Sequence, residues 1–301
     1  MTQEEKLPER TVLLEEVLRI QDNRIDIFFK NPRYLSQWDD GSLFFMDHPY
    51  LYRYDEKGEF IFRIFKLGDG PGESKRPDCY YFDGERIYIY SWIPPKIMEF
   101  DRDGNFIKEQ KAPPNTFVYM GYIDNKIIGI RDEIRYSDFI DQNGFFETPF
   151  SIYEISSNFE KQKKIFDIPV DHYIRRARWW RRVMFAVIPY EQYLFILHTS
   201  EYQVDKLDLR TGQIERVFTR PYERIKSQKK EYIPELYNVV PKNPLPPPFE
   251  YVWDIWWIQI ANDYLYVFTS TVTDENRLID VFDMEGNYID CFYLQFPLNN
   301  E

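Results

Sequence analysis

The stretch DDGSLFFMDHPYLYRYDEKGEFIFRIF, Asp39 to Phe65, reads as a turn, a strand, a short polar break, a second strand, an Asp-x-x-Gly turn and a third strand. Nearly the same succession returns as FDGERIYIYSWIPPKIMEFDRDGNFIKEQ, Phe82 to Gln110, and as ANDYLYVFTSTVTDENRLIDVFDMEGNYIDCFYL, Ala261 to Leu294. A looser copy is YEQYLFILHTSEYQVDKLDLRTGQIERVF, Tyr190 to Phe218. A degraded one opens at IDNKIIGIRD and resumes at FSIYEISSNFEKQKKIF. Asp at the first place and Gly at the fourth suit a type I turn, in which the carboxylate caps local N–H groups and Gly takes a left-handed backbone. Asp55–Gly58, Asp101–Gly104 and Asp283–Gly286 follow that rule, and Asp208–Gly212 is one residue longer.

The first tight turn of each unit is marked by Asp40, Asp83, Asp124, Glu191 and Asn262. The first three are spaced by about forty residues, the period of a four-stranded unit that buries its apolar face only against a neighbour. The later intervals are about seventy residues, too short to hold a whole further unit. The surplus falls at Glu133 to Pro149, at Asp171 to Arg182 and at Thr219 to Phe249. The run Pro246-Pro247-Pro248 offers no N–H to a ladder and reads as an extended loop. These features predict an all-β fold, a β-propeller of four-stranded antiparallel blades with five repeats visible. A β-sandwich would not need the same turn chemistry at each repeat.

Composition agrees. Aromatic residues make up 19% of 301, with 25 Phe and 24 Tyr, types that pack well across sheets. Pro outnumbers Gly by 20 to 12, which opposes long helices. The whole chain reads as one propeller domain: residues 1–11 are polar and frayed, and 12–29 supply outer strands that close the ring. Val12 to Phe29 fits two strands about Gln21-Asp22-Asn23 better than a helix, because Ile25, Asp26 and Ile27 alternate.

Between the first two units lies LGDGPGES, Leu67 to Ser74. Through Gly68, Gly70, Pro71, Gly72 and Glu73 it resembles the G-x-G-P-G-E segment of bacterial six-bladed β-propeller proteins related to NHL-repeat propellers. The resemblance spans residues 33 to 294. It implies six blades where five are marked, so the number stands at five or six. It implies little chemistry, because propellers serve as enzymes, binding platforms and scaffolds alike. Without a following Lys-Ser pair and helix, the glycines read as a crossing between blades and not as a phosphate loop.

The formal charge is −12, from 38 Lys and Arg against 50 Asp and Glu, which opposes nucleic acid as a partner. No apolar run is long enough for a membrane span. The start MTQEEKLPER has no leader signature, which fits a cytoplasmic protein or an extracytoplasmic one whose leader has been removed. Cys79 and Cys291 lie in strand-like runs and read as buried hydrophobes.

His48 and His198 follow the second strands of their units, together with Asp47, Ser91, Asp132 and Thr269. No ligand spacing joins the histidines, so no metal or cofactor is expected. Ca²⁺ held by oxygens from several blades stays open. The sharpest local anomaly is DHYIRRARWWRR, Asp171 to Arg182, in which five arginines surround Trp179 and Trp180. Guanidinium forks bind carboxylate, sulfate or phosphate, and as a regular strand this run would put Arg175, Trp179 and Arg181 on one side. The tryptophans of YVWDIWWIQI, Tyr251 to Ile260, read as inner-strand packing between blades. The function these patterns favour is a binding module for a carbohydrate, an anionic small molecule or a peptide, with Arg175, Trp179, Arg181, His48 and His198 as candidate contacts. The alternative is a hydrolase or lyase with its site at one mouth of the channel.

Overall fold

The structure is a computed structural model that describes residues 8, 10–20, 29–64, 66–112, 117–134, 143–175, 178–181, 185–227, 250–273 and 276–295; residues 143, 173–175 and 178–181 are described by backbone alone. The strands are β1 (Thr11–Leu13), β2 (Arg33–Gln37), β3 (Leu43–Asp47), β4 (Tyr50–Tyr54), β5 (Phe60–Ile64), β6 (Arg76–Phe82), β7 (Ile87–Ile93) and β8 (Pro95–Phe100). They continue with β9 (Phe106–Lys111), β10 (Phe117–Ile123), β11 (Lys126–Asp132), β12 (Asn143–Ile155), β13 (Gln162–Arg175), β14 (Arg178–Arg181) and β15 (Ala186–Tyr190). The last are β16 (Tyr193–Leu197), β17 (Val204–Asp208), β18 (Gln213–Phe218), β19 (Ile255–Ala261), β20 (Tyr264–Val272), β21 (Asn276–Asp283) and β22 (Tyr288–Gln295). No helix occurs among the described residues.

The strands form five sheets, the blades of an all-β propeller: β2 to β5, β6 to β9, β10 to β14, β15 to β18, and β19 to β22 with β1 on the outer edge. Within each blade the strands follow chain order and pair antiparallel. The exception is β1, which runs parallel to β22 with Thr11 beside Tyr293. Residues 14–20 form neither helix nor strand, and the expected strand about Ile25 lies outside the described residues, as does the Pro246–Pro248 run. The surplus after Glu133 is partly strand: β12 and β13 are 13 and 14 residues long.

The repeated turns share one hydrogen-bond pattern. Gly58, Gly104 and Gly286 donate N–H to the carbonyls of Asp55, Asp101 and Asp283 at 3.0, 3.1 and 3.1 Å. Each Asp Oδ1 accepts from the amides two and four residues on. The three glycines sit at φ of 81°, 80° and 87°, and a bulge follows at each hairpin. In the degraded unit Phe159 takes the glycine's place at φ 58°, donating to Ser156.

The described residues group into two compact units, one from Glu16–Asp132 and Ser151–Ile165, the other from Met1–Glu15, Glu133–Phe150 and Phe166–Glu301. In the first unit Trp38, Phe44 and Leu51 pack on Tyr80, Ile87 and Met98, filling the gap between the first two sheets. A second cluster joins Cys79, Tyr81 and Tyr90 to Phe117, Met120 and Phe159. In the other unit Phe195, Val204 and Phe218 meet Ile258, Val267 and Phe282. Arg220 and Asp280 form a buried ion pair beside that core, 2.8 Å apart; the Tyr202 and Tyr288 hydroxyls donate to the same carboxylate. Cys79 and Cys291 are buried free thiols, and burial pushes both above the usual thiol range.

Candidate functional site

Antiparallel order gives each sheet two unlike ends. One carries the tight turns from first to second and from third to fourth strand. The other carries the hairpin from second to third strand and the links to neighbouring sheets, and its sequence is free to vary because no repeated turn occupies it.

The last sheet places an aromatic and cationic group at its link end. Strand β19 pairs Ile255 with Thr269 but Trp257 with Phe268, so Trp256 is the extra residue of a bulge. A bulge re-aims the side chains beside it. The tryptophans therefore do not fill an inter-blade gap as the sequence suggests: Trp256 and Trp257 are 44% and 46% exposed. Trp253 meets Trp256 edge-on with ring centres 6.0 Å apart. The Arg277 guanidinium, at the start of β21, lies 5.3 Å from the Trp256 ring centre and donates to the Thr269 carbonyl at 2.7 Å. No carboxylate among the described residues pairs with it. The nearby Asp254 is buried and bound to Arg224, Nε to Oδ1 at 3.0 Å. Burial pulls Arg277 below the usual guanidinium range, with only a small opposing influence from Tyr222. The cation is partly desolvated and has no carboxylate partner among the described residues.

The residues expected from sequence lie elsewhere. His48 is exposed at the tip of the β3–β4 hairpin, whereas Asp47 beside it is buried and accepts the amides of Lys30 and Asn31 at 2.7 Å each. Asp47 is thus a cap that anchors the incoming chain. His198 is buried, its Nε2 at 2.8 Å from Asp205 Oδ2 and its Nδ1 at 3.2 Å from the Pro169 carbonyl. With both nitrogens engaged, neither ring atom is open to a ligand. Ser91 and Thr269 are buried hydrogen-bonding residues, joined to Ser74 and to the Leu278 carbonyl. The arginine-tryptophan run is a hairpin in which Arg175 pairs with Arg178, Ile174 with Trp179 and His172 with Arg181. The side chains of Arg175, Trp179 and Arg181 lie outside the described residues. No group of three or more His, Cys, Asp or Glu among the described residues is placed to hold a metal ion.

Residues 26–220 match the DUF5128 family, described as a 6-bladed β-propeller. The chain belongs to that family. No curated protein matches it. Among solved structures it is similar to a candidate exported protein of Bacteroides fragilis, at 14% identity and a TM-score of 0.55, over 92% of this chain and 74% of that one. A Bacteroides caccae protein of unknown function is similar at 9% identity and a TM-score of 0.44, over 88% and 86% of the two chains. Hydrazine synthase of Kuenenia stuttgartiensis gives 11% identity and 0.45, over 92% and 69%. At these identities the likeness concerns the fold alone.

In this DUF5128 propeller the G-x-G-P-G-E segment is closed on itself. Gly70 N–H donates to the Glu73 carboxylate at 3.1 Å, and Gly72 N–H donates to Glu109 at 3.0 Å. A Cβ on Gly68 would stand 2.0 Å from Glu73 Oε2, and one on Gly72 would stand 2.9 Å from the Phe106 ring. The amides that would cradle a phosphate are taken by the chain's own carboxylates, so the loop is a structural crossing. Sequence reading missed the pairing of Trp256 with Arg277. The signal available was a doubled Trp-Trp at the start of an inner strand, where two adjacent large rings cannot both pack under strict alternation.

Proposed function

We propose that this propeller is a ligand-binding module whose site is the Trp253–Trp256–Trp257 group with Arg277, and that its ligand is a carbohydrate bearing a carboxylate or sulfate. The observation that carries the reading is the Arg277 guanidinium, packed against an exposed indole and without a carboxylate partner among the described residues. Exposed indole faces offer flat apolar surface to the C–H faces of a sugar ring, and the guanidinium offers forked N–H donors to an anionic substituent. A kinship with NHL-repeat propellers, on Gly68 to Glu73, belongs to the same proposal.

The test is titration calorimetry with uronic-acid and sulfated oligosaccharides. Wild type binds; Trp256→Ala and Arg277→Ala each weaken binding by about tenfold to a hundredfold, the loss of a charge-assisted contact or a stacking face. Arg277→Lys restores part of the loss. Undiminished binding in both alanine variants would remove the site.

A further inference from the structure

A second place carries chemistry the fold does not use. It lies at the link end of the sheet β6 to β9, in the other compact unit from Arg277. Strand β6 pairs Arg76 with Ile93, Pro77 with Ser91 and Cys79 with Tyr90, so the register slips on both sides of Pro77 and leaves Asp78 without a ladder partner. Its side chain is 23% exposed, and Oδ2 is buried with no hydrogen-bond donor. The cation beside it is Arg76, whose Nε is 3.6 Å from Oδ1. That guanidinium sits over Trp92, its Cζ 4.1 Å from the ring centre, and its side chain is half exposed.

A carboxylate in this state is a cost to the fold. An acceptor removed from water without a donor loses its hydration and gains no hydrogen bond in return. Burial raises the Asp78 carboxyl above its usual range, and the positive charge of Arg76, with His48 when it is protonated, only partly opposes it. Buried carboxylates among the described residues are bonded: Asp47 holds two amides, and Asp280 holds an arginine and two tyrosines. A group kept against stability, beside a bulge and an exposed cation, fits a functional contact.

We propose that Asp78, Arg76 and Trp92 form a second binding site, distinct from the Trp256–Arg277 group, that takes hydroxyls of a neutral saccharide. The class follows from charge. An anion meets the Asp78 carboxylate, and a cation competes with Arg76 already there. A hydroxyl donates to the Asp78 carboxylate at Oδ1, the oxygen that faces Arg76, and a neighbouring hydroxyl oxygen accepts from Arg76, which sits over the Trp92 face.

The experiment uses the full chain in two forms, wild type and Asp78→Asn, titrated with neutral oligosaccharides: maltotriose, cellotriose, xylotriose and mannotriose. Wild type binds at least one of them, and Asp78→Asn binds it at least about tenfold more weakly. Thermal melts of the same proteins provide a readout without ligand. Because the native carboxyl is raised, wild type loses stability as pH climbs from the unfolded value of about 3.9 through the native one. Asp78→Asn therefore melts higher by about 2–4 °C near neutral pH, and the gain vanishes in acid below about pH 4. A lower melting temperature for Asp78→Asn would show a structural carboxylate and overturn the proposal. So would unchanged affinity in that variant, or no binding of any neutral probe by wild type.

Discussion

Phe159 offers a test in which the usual order of two substitutions reverses. It occupies the left-handed position that glycine holds in three other blades, at φ 58°, and its N–H reaches the Ser156 carbonyl at 2.7 Å. The ring is 3% exposed and packs in the cluster that contains Ala112, Phe117 and Ile155. The same cluster seats Cys79 and Tyr81 of β6, the strand that carries Asp78. A left-handed non-glycine residue costs about 1–2 kcal/mol, whereas removing a buried Phe ring costs about 3–5 kcal/mol. Packing therefore outweighs strain, which explains why this turn tolerates Phe. Phe159→Ala keeps the strained backbone and loses the ring, so it should destabilise by about 3–5 kcal/mol. Phe159→Gly loses the same ring and relieves the strain, less the entropy that glycine adds to the unfolded chain, so it should be more stable than the alanine variant by about 1 kcal/mol. Urea unfolding followed by tryptophan fluorescence and far-ultraviolet circular dichroism measures both. An alanine variant as stable as the glycine one would refute the strain, and either variant within about 0.5 kcal/mol of wild type would refute the packing.

Gly68→Ala should destabilise by about 1–3 kcal/mol, because its Cβ displaces the Glu73 carboxylate that bonds Gly70 N–H. Adding Glu73→Ala should cost less in that background than in wild type, and a strictly additive pair in thermal melts would contradict the contact. Arg220→Ala strands the Asp280 carboxylate with two tyrosine hydroxyls and should destabilise by about 3–5 kcal/mol in urea. A loss below about 1 kcal/mol would mean that water reaches Asp280.

The sequence by itself determined the repeat, the four-stranded order and the turn chemistry, since these rest on local rules. Asp and Gly at Asp55–Gly58 and Asp283–Gly286 act within four residues, and alternation of apolar residues declares a strand wherever it occurs. The sequence also spoke correctly about Gly68 to Glu73 as a crossing, although not about why: Glu73 fills the space over its own glycines, a contact invisible to a pattern of residue types. What the tertiary structure alone decided is where strict alternation fails. A bulge shifts the register by one residue, and the shift is set by pairing with a distant strand: Ile255 and Trp257 against Thr269 and Phe268, Pro77 against Ser91. That single-residue slip turns Trp256 outward to Arg277 and leaves Asp78 without a ladder partner. Partners of charged groups were likewise beyond the sequence, because Arg220 meets Asp280 across 60 residues while Arg277 meets no carboxylate among the described residues. Local turns follow from local chemistry, but the desolvation and pairing of a charge depend on which strands the fold brings beside it.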